Sequence, residues 1–195
     1  MFNILIAGVG GQGNVLASRV IAECAIKKGL HVKTAETIGM AQREGTVVSH
    51  LRIGKIVNSS LVSEGKGDLL IGMEIAEGAR SLSKLNKDAK IIINDYSIVP
   101  AMVSIGMGTY QEKEIKDYLK KYFPKTLFIR ASSLALEIGT LKVTNVIMLG
   151  SSVQSGFLPF SSDEIWFALK ELLPEKLHAI NKKAFQSGIE AVKAI

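Results

Sequence analysis

Residues 8–13 read GVGGQG and separate a short apolar run from a stretch of helical spacing. Residues 1–7, MFNILIA, have the composition of a buried parallel strand. From Asn14 to Lys28 the apolar residues recur as on one face of a helix. Glycines in such a turn tolerate positive φ and leave the first N–H groups of the helix free to bind a phosphate or carboxylate. The stretch therefore predicts an anion-binding loop between the first strand and the first helix.

The same loop admits two other interpretations. Gly8, Gly10 and Gly13 satisfy the dinucleotide fingerprint G-x-G-x-x-G, and Glu36 would end the second strand where a ribose-binding acid would lie. That pattern fits a stand-alone NAD-dependent Rossmann oxidoreductase. Alternatively, the glycines only allow the helix to pack closely on the strand.

Length and composition restrict the class of protein. A chain of 195 residues suits one domain, or one domain with an appendage, and 47% hydrophobic residues are enough to build a core. No apolar run approaches the ~20 residues that span a bilayer, and the N-terminus leads directly into a strand. We therefore expect a cytoplasmic protein without membrane contact.

Charge and cysteine content narrow the possible partners. The net charge is +6, but the basic residues accompany no basic-aromatic motif, so we expect no nucleic-acid partner. An anionic small molecule or an acidic partner surface explains the charge as well. The notable lysines are Lys84, Lys87, Lys90, Lys120, Lys121, Lys125, Lys182 and Lys183. The lone Cys24 holds no iron–sulfur cluster, and the three scattered histidines suggest no metal site.

The rest of the chain alternates predicted strands and helices. Strands are predicted at residues 31–38, 46–53, 68–72, 90–94 and 126–130, and helices at 74–85, 111–123, 132–138, 146–149, 161–173 and 176–195. Gly54-Lys55 is a hairpin signal, with a return strand beginning at residues 56–57, and Gly150 is predicted to break its helix. The predicted fold is α/β: an open, mostly parallel Rossmann-like sheet with helices on both faces and an antiparallel hairpin excursion.

Three stretches together resemble a known family. They read GVGGQGNVLAS at residues 8–18, GMAQREGTVVSHLR at 39–52 and NVIMLG at 145–150. They are similar to the gamma-type domain of 2-oxoacid:ferredoxin oxidoreductases, and the second is most similar to small (beta) subunits of indolepyruvate ferredoxin oxidoreductases. The resemblance covers the whole chain and implies one gamma-type catalytic domain over 1–195. Glu44 departs from the pattern, which usually has glycine there.

The resemblance implies that this chain is a subunit of an enzyme complex and is not active alone. Such complexes oxidatively decarboxylate indolepyruvate and other aryl pyruvates with coenzyme A, giving arylacetyl-CoA, carbon dioxide and reduced ferredoxin. Thiamine diphosphate, magnesium and iron–sulfur clusters would lie on a large alpha subunit, in a heterodimer or a dimer of heterodimers, with no cofactor on this chain. A purely structural assembly subunit is the remaining alternative.

The candidate binding residues lie on two loops and one helix start. We expect the substrate or coenzyme A to be held by Gly10, Gly11, Gln12, Gly13, Arg43 and Asn145, with no catalytic residue and no metal ligand on this chain. Gln12 either donates to the anion or holds the loop, and Asn145 is either a helix cap or a ligand contact. Arg43 either binds the anion or pairs with Glu44. If the strands before the two loops are neighbours, both loops emerge at the same sheet edge.

Overall fold

The sheet of this protein has six strands in its described part. The structure, a computed structural model, describes residues 1–39, 45–106 and 108–194. The strands are β1 (Phe2–Val9), β2 (His31–Ile38), β3 (Thr46–Gly54), β4 (Gly67–Gly72), β5 (Leu85–Asn94) and β6 (Leu127–Ile129), in the spatial order β2-β3-β1-β4-β5-β6. Strands β1, β4, β5 and β6 pair in parallel, whereas β3 is antiparallel to both of its neighbours. The predicted mostly parallel sheet with an antiparallel excursion is confirmed.

The antiparallel excursion is formed by different strands from those expected. The predicted hairpin at Gly54-Lys55 is wrong, because residues 56–57 form no strand. Strand β3 already pairs with β2 on one side and β1 on the other, so no edge remains for a return strand. The antiparallel pair is instead β2 and β3, which follow each other along the chain and place Ile38 opposite Val47.

Helices cover both faces of the sheet. They are α1 (Asn14–Lys27), α2 (Ile75–Arg80), α3 (Ala101–Ser104), α4 (Glu112–Tyr122), α5 (Ala131–Ile138), α6 (Thr144–Gln154), α7 (Ser162–Leu172) and α8 (His178–Lys193). Because side chains alternate along a strand, Ile4 and Ile6 of β1 pack into the core shared with α1 and α5 to α8. Leu5 and Ala7 pack into the opposite core with α2 and α4.

The chain between β4 and β5 is more irregular than predicted. The helix expected at 74–85 ends at Arg80 and is followed by a 3₁₀ turn, Leu82–Lys84. Leu85 then begins β5 opposite Gly67 and is buried, so the strand starts five residues before its expected beginning at Lys90. Burial of this leucine under the second core overrides the helical spacing of residues 75–85.

Helices α6 and α8 cross at very short distance. The break predicted at Gly150 is wrong, because α6 is continuous through it. A Cβ at Gly150 would lie 2.3 Å from the carbonyl oxygen of Phe185, and one at Gly188 would lie 2.1 Å from that of Ile147. The hydroxyl of Ser151 donates to the Gly188 carbonyl oxygen at 2.9 Å. These glycines therefore allow close helix packing and do not end a helix.

His50 of β3 is a buried, hydrogen-bonded histidine and not a surface base. It is 1% exposed, its Nδ1 accepts from the Val62 N–H at 3.2 Å, and its Nε2 lies 3.4 Å from the Thr37 hydroxyl. Burial first, and the nearby Lys84 second, lower the pKa of His50 below its ordinary value of 6.5. The neutral ring holds the segment after β3 against the sheet.

We expect His50 to make stability depend on pH. Since its pKa is depressed in the folded chain, its stabilising effect is complete above about pH 6.5 and is lost as the pH falls below that value, by up to ~1.4 kcal/mol per pH unit. His50→Gln removes this titration, so urea unfolding between about pH 5 and pH 8 should show a shallower slope than wild type. The exposed His31→Gln is the control; an equal slope in wild type and His50→Gln contradicts the assignment.

Candidate functional site

A cleft opens at the carboxyl edge of the sheet, directly at the glycine loop. Its volume is about 510 Å³. One wall is the loop from Gly10 to Gln12, and the opposite walls are residues 96–99 after β5 and residues 141–144 at the start of α6. Open α/β sheets bind ligands at this edge. The first candidate loop therefore lies in a cleft of a size suited to a small molecule.

Two of the four backbone N–H groups expected to bind an anion are already bonded within the protein. The Gly10 N–H donates to the Gly45 carbonyl oxygen at 2.9 Å, and the Gln12 N–H donates to that of Val9 at 3.3 Å. The N–H groups of Gly11 and Gly13 find no acceptor among the residues that the structure describes. Both glycines have positive φ, 91° and 80°. The available donors are thus the alternate glycines of the loop.

The side chain of Gln12 holds the loop together. Its Oε1 accepts from the Val9 N–H at 2.9 Å, and its Nε2 donates to the Met73 carbonyl oxygen at 3.0 Å. A Cβ at Gly8 would lie 2.5 Å from Gln12 Oε1, so glycine at position 8 makes room for this folded-back side chain. Of the two roles considered for Gln12, the structure supports the loop-holding one.

A buried amide that the sequence analysis missed extends this support across the sheet. Asn94, at the end of β5, donates from Nδ2 to the Met73 carbonyl oxygen at 2.9 Å and to the Ser132 hydroxyl at 2.8 Å. Its Oδ1 accepts from the Ser132 N–H at 3.1 Å. The loop after β1 and the ends of β4, β5 and β6 are therefore fixed by one network. Its sequence signal is a polar residue at the end of an otherwise apolar central strand.

Asn145 supports the glycine loop from the other side. It is 2% exposed, and its Nδ2 donates to the Gly13 carbonyl oxygen at 3.2 Å. Its Oδ1 accepts from the Val146 N–H at 3.0 Å. A Cβ on Gly13 would lie 2.3 Å from Asn145 Nδ2, so the two positions fit only while residue 13 is glycine. The structure brings Asn145 to the predicted site as a positioning residue that contacts the loop.

Arg43 and Glu44 lie outside the described residues, so their expected contacts are not addressed by the structure. The strands before the two loops are not neighbours, because β3 lies between β1 and β2. Gly45, a described end of the second loop, nevertheless lies beside the first loop, since β3 begins at Thr46 opposite Val9 and the Gly45 carbonyl oxygen accepts from the Gly10 N–H.

Lys142 is a cation of the cleft that the sequence analysis missed. It lies on the 3₁₀ turn Leu141–Val143, is exposed, and lines the cleft opposite the glycine loop. It forms no ion pair within the described part of the chain. The signal was its position three residues before Asn145. Together with the Gly11 N–H group, it gives the cleft the chemistry of an anion site.

The dinucleotide interpretation does not fit the topology. Glu36 lies on β2, opposite Ser49 of β3, and is exposed. In a dinucleotide site the acid ends a strand adjacent to β1, whereas here the antiparallel β3 separates the two. Glu36 therefore does not take the position of a ribose-binding acid.

The wall at residues 96–99 is anchored by a buried carboxylate, Glu74. It is 1% exposed and accepts from the Glu77 N–H at 2.8 Å, from the Ile98 N–H at 3.3 Å and from the Tyr110 hydroxyl. Burial first, and the bond to Glu74 second, raise the pKa of Tyr110 well above its usual range. The Tyr110 proton therefore stays on the phenol, and both ends of the segment 98–110 are tied to the start of α2.

Tyr110→Phe should loosen this wall. Loss of a hydrogen bond to a charged group costs about 1.5–3 kcal/mol. Because water can partly replace the lost bond to Glu74, we expect the free energy of unfolding to fall by about 1–2 kcal/mol. Amide hydrogen exchange should accelerate in residues 96–110 more than elsewhere. Tyr118→Phe, at a half-exposed tyrosine, is the control. Unchanged exchange in 96–110 would show that Tyr110 does not anchor the segment.

The described residues offer no other chemistry of the expected kinds. They contain no group of three or more His, Cys, Asp or Glu side chains that could hold a metal ion. Cys24 is buried, its thiol donates to the Glu164 carbonyl oxygen at 3.3 Å, and burial raises its pKa to about 11. None of the helices that the structure describes is both long and apolar enough to cross a membrane.

Comparison with known proteins defines the family. Residues 3–191 match the family model of pyruvate ferredoxin/flavodoxin oxidoreductases, and the chain belongs to that family. It is 39% identical over 187 residues to the indolepyruvate oxidoreductase subunit IorB of Archaeoglobus fulgidus, covering 95% of this chain and 92% of the relative. With IorB of Pyrococcus horikoshii the identity is 36% over 194 residues, covering 98% and 96%.

Solved structures share the fold. The gamma subunit of keto/oxoacid ferredoxin oxidoreductase from Geobacter sulfurreducens matches with a TM-score of 0.72 at 23% identity, covering 100% of both chains. A 2-oxoglutarate:ferredoxin oxidoreductase from Magnetococcus marinus matches with a TM-score of 0.72 at 20% identity, over 100% of this chain and 31% of that one. The resemblance inferred from the sequence, and the expectation of a subunit of an oxidoreductase in this family, are confirmed.

Proposed function

We propose that residues 1–195 form one gamma-type domain that binds coenzyme A for a 2-oxoacid:ferredoxin oxidoreductase. The proposed reaction is the oxidative decarboxylation of indolepyruvate and other aryl pyruvates to arylacetyl-CoA, carbon dioxide and reduced ferredoxin. Similarity to IorB subunits over nearly the full length supports the substrate class. The cytoplasm, where reduced ferredoxin would be used, is the proposed location.

The observation that carries the proposal is the arrangement at the carboxyl-edge cleft. Gly11, whose N–H group finds no acceptor among the described residues, lines one cleft with Lys142, which forms no ion pair in the described chain. The N–H group of Gly13, also without an acceptor there, follows at the start of α1. A helix N-terminus with a nearby ammonium group binds phosphates or carboxylates. Arg43, as predicted from the sequence, is proposed as a second cation. The fold relative from Magnetococcus marinus was solved with coenzyme A bound.

The redox cofactors are proposed for the partner. Iron–sulfur clusters need about four thiolates, whereas this chain has one cysteine, and that one is buried with a raised pKa. The residues present therefore do not fit a cluster. We propose that clusters, thiamine diphosphate and magnesium belong to a large alpha subunit, in a heterodimer or a dimer of heterodimers, which also passes electrons to ferredoxin. This chain contributes binding and positioning.

Lys142→Ala tests the binding role in the assembled complex. An ammonium in contact with a phosphate contributes about 1–1.5 kcal/mol in a half-open cleft, so we expect the KM for coenzyme A to rise about tenfold with little change in kcat. The KM for the 2-oxoacid should move less. Lys183→Ala, which removes an exposed lysine of α8, is the control.

Two measurements, the kinetics of Lys142→Ala and NAD calorimetry, separate the proposal from its alternatives. A purely structural subunit would leave both KM values unchanged in Lys142→Ala while the complex still assembles. A stand-alone NAD enzyme would show saturable NAD binding by calorimetry that Glu36→Ala abolishes. Either result would overturn the proposed binding of coenzyme A.

A further inference from the structure

A second and larger cavity lies at the opposite, amino edge of the sheet. Its volume is about 760 Å³. It is bounded by the beginning of β5, by the connection from α4 to β6 at residues 122–127, and by the ends of α6 and α8. Cavities of roughly 300–1,000 Å³ suit small organic ligands. Nothing in the proposed function uses this cavity.

Part of its wall is apolar and aromatic. The lining side chains of this kind include Ile91, Tyr122, Phe123, Leu127, Phe157 and Val192. Ile91 is buried in one core, whereas Phe157 packs against the other, so the cavity lies where the two cores approach the amino edge. Such a surface favours a flat or branched apolar group over a fully hydrated one.

Three lysines line the same cavity. Lys87 and Lys90 come from β5 and Lys125 from the turn before β6, and Lys90 Nζ lies 6.0 Å from the ring centroid of Phe157. None of the three forms an ion pair with an acid in the described ranges. The one acidic residue lining the cavity is Asp88.

Helix electrostatics do not account for these lysines. The carboxyl end of α4 points towards the cavity, but Lys120 and Lys121 already lie in its last turn. Lys87, Lys90 and Lys125 lie outside the helices. Exposed lysines usually serve solubility, but these three line one cavity together with apolar and aromatic residues.

We propose that this cavity binds an amphipathic organic anion: an aromatic or branched apolar body that carries a carboxylate, sulfonate or phosphate group. The apolar body lies against Phe123 and Phe157, and the anionic group faces Lys87 and Lys125. The site is separate from the carboxyl-edge cleft, because α6 begins at the cleft and ends at the cavity. At about 1.5 Å per residue this helix is about 16 Å long, which sets the separation of the two sites.

A three-probe NMR titration of the full chain tests this proposal. Naphthalene-1-sulfonate carries both features, 1-naphthalenemethanol lacks the charge, and methanesulfonate lacks the apolar body. We expect saturable shifts with the first probe, concentrated at residues 87–91, 122–127 and 155–157. 1-Naphthalenemethanol and methanesulfonate should bind at least about fivefold more weakly. Added salt should weaken the binding of naphthalene-1-sulfonate.

Matched variants locate the binding. The double variant Lys87→Gln/Lys125→Gln should weaken the binding of naphthalene-1-sulfonate about three- to tenfold, since each exposed charge contact contributes only a modest free energy. Lys182→Gln/Lys183→Gln removes the same charge from the exposed face of α8 and should have no effect. Saturating coenzyme A should not displace the probe.

Three results would overturn the proposal. The first is the absence of saturable shifts at the cavity with naphthalene-1-sulfonate. The second is equally tight binding of 1-naphthalenemethanol, which would mean that the lysines do not bind the sulfonate group. The third is an equal loss of binding in the two double variants, which would mean that binding depends only on the net charge of the protein. Far-ultraviolet circular dichroism of each variant confirms that a lost signal does not come from unfolding.

Discussion

Replacing Gly188 with alanine is expected to lower the free energy of unfolding by about 2–3 kcal/mol. The new Cβ would lie 2.1 Å from the Ile147 carbonyl oxygen and 3.0 Å from the Ser151 nitrogen, both backbone atoms of α6 that cannot rotate away. The two helices must separate, which also stretches the bond from the Ser151 hydroxyl to the Gly188 carbonyl oxygen. Overpacking typically costs 1–3 kcal/mol or more, against a gain of about 0.5–1 kcal/mol from replacing a helical glycine.

The measurement is urea unfolding followed by circular dichroism. Gln186→Ala, two residues away on the exposed face of the same helix, is the control and should be neutral or slightly stabilising. If Gly188→Ala proves as stable as wild type, α6 and α8 are not as close as described. Gly150→Ala, whose Cβ would lie 2.3 Å from the Phe185 carbonyl oxygen, should repeat the loss.

Gly13→Ala is expected to reduce kcat/KM for coenzyme A about a hundredfold in the assembled complex. Residue 13 has φ 80°, where alanine costs about 1–2 kcal/mol. In addition, its Cβ would lie 2.3 Å from Asn145 Nδ2 and force that amide away from the Gly13 carbonyl oxygen. Both effects displace the N–H groups that the proposal assigns to the anion. A shift of about 2.7 kcal/mol corresponds to the stated loss.

Two variants separate the steric effect from the conformational one. The double variant Gly13→Ala/Asn145→Ala removes the clashing amide and should recover activity to within about tenfold of wild type. The effects of the two substitutions on activity would then be non-additive. Gly139→Ala places alanine at φ 115° with no atom within 4 Å of its Cβ, so it carries the backbone strain alone and should leave activity unchanged. A double variant as impaired as Gly13→Ala would show that Asn145 is not the cause.

The sequence was sufficient for the features that local chemistry determines. The glycine loop, the parallel strands and the helix predicted at residues 161–173 follow from periodicity and from residue preferences, and the structure has all of them. The resemblance of residues 39–52 identified the family, although β1 and β2, the strands before the two loops, are not neighbours in the sheet. Asn145 lies at a helix start, as expected, and its Nδ2 donates to the Gly13 carbonyl oxygen, whereas its role in binding stays a prediction.

The remaining features depend on contacts far apart in the chain. Gly54-Lys55 has the composition of a hairpin turn, but β1 and β2 already occupy both edges of β3. Gly150 has the composition of a helix break, but it faces a second helix that begins at His178. Lys142 and Asn94 carry only weak local signals, a position near Asn145 and a polar end to an apolar strand. Only the assembled sheet brings them to the glycine loop.

The Met73 carbonyl oxygen accepts from both Gln12 and Asn94, and this has a consequence for the kinetics and entropy of ligand binding. The loop at residues 8–13 is preorganised by bonds that exist before any ligand arrives, so its ordering entropy is lost on folding and not on association. A ligand of this cleft needs no slow rearrangement of the loop, and its association rate is set by diffusion and electrostatic steering. Affinity differences among ligands should then lie mainly in their dissociation rates.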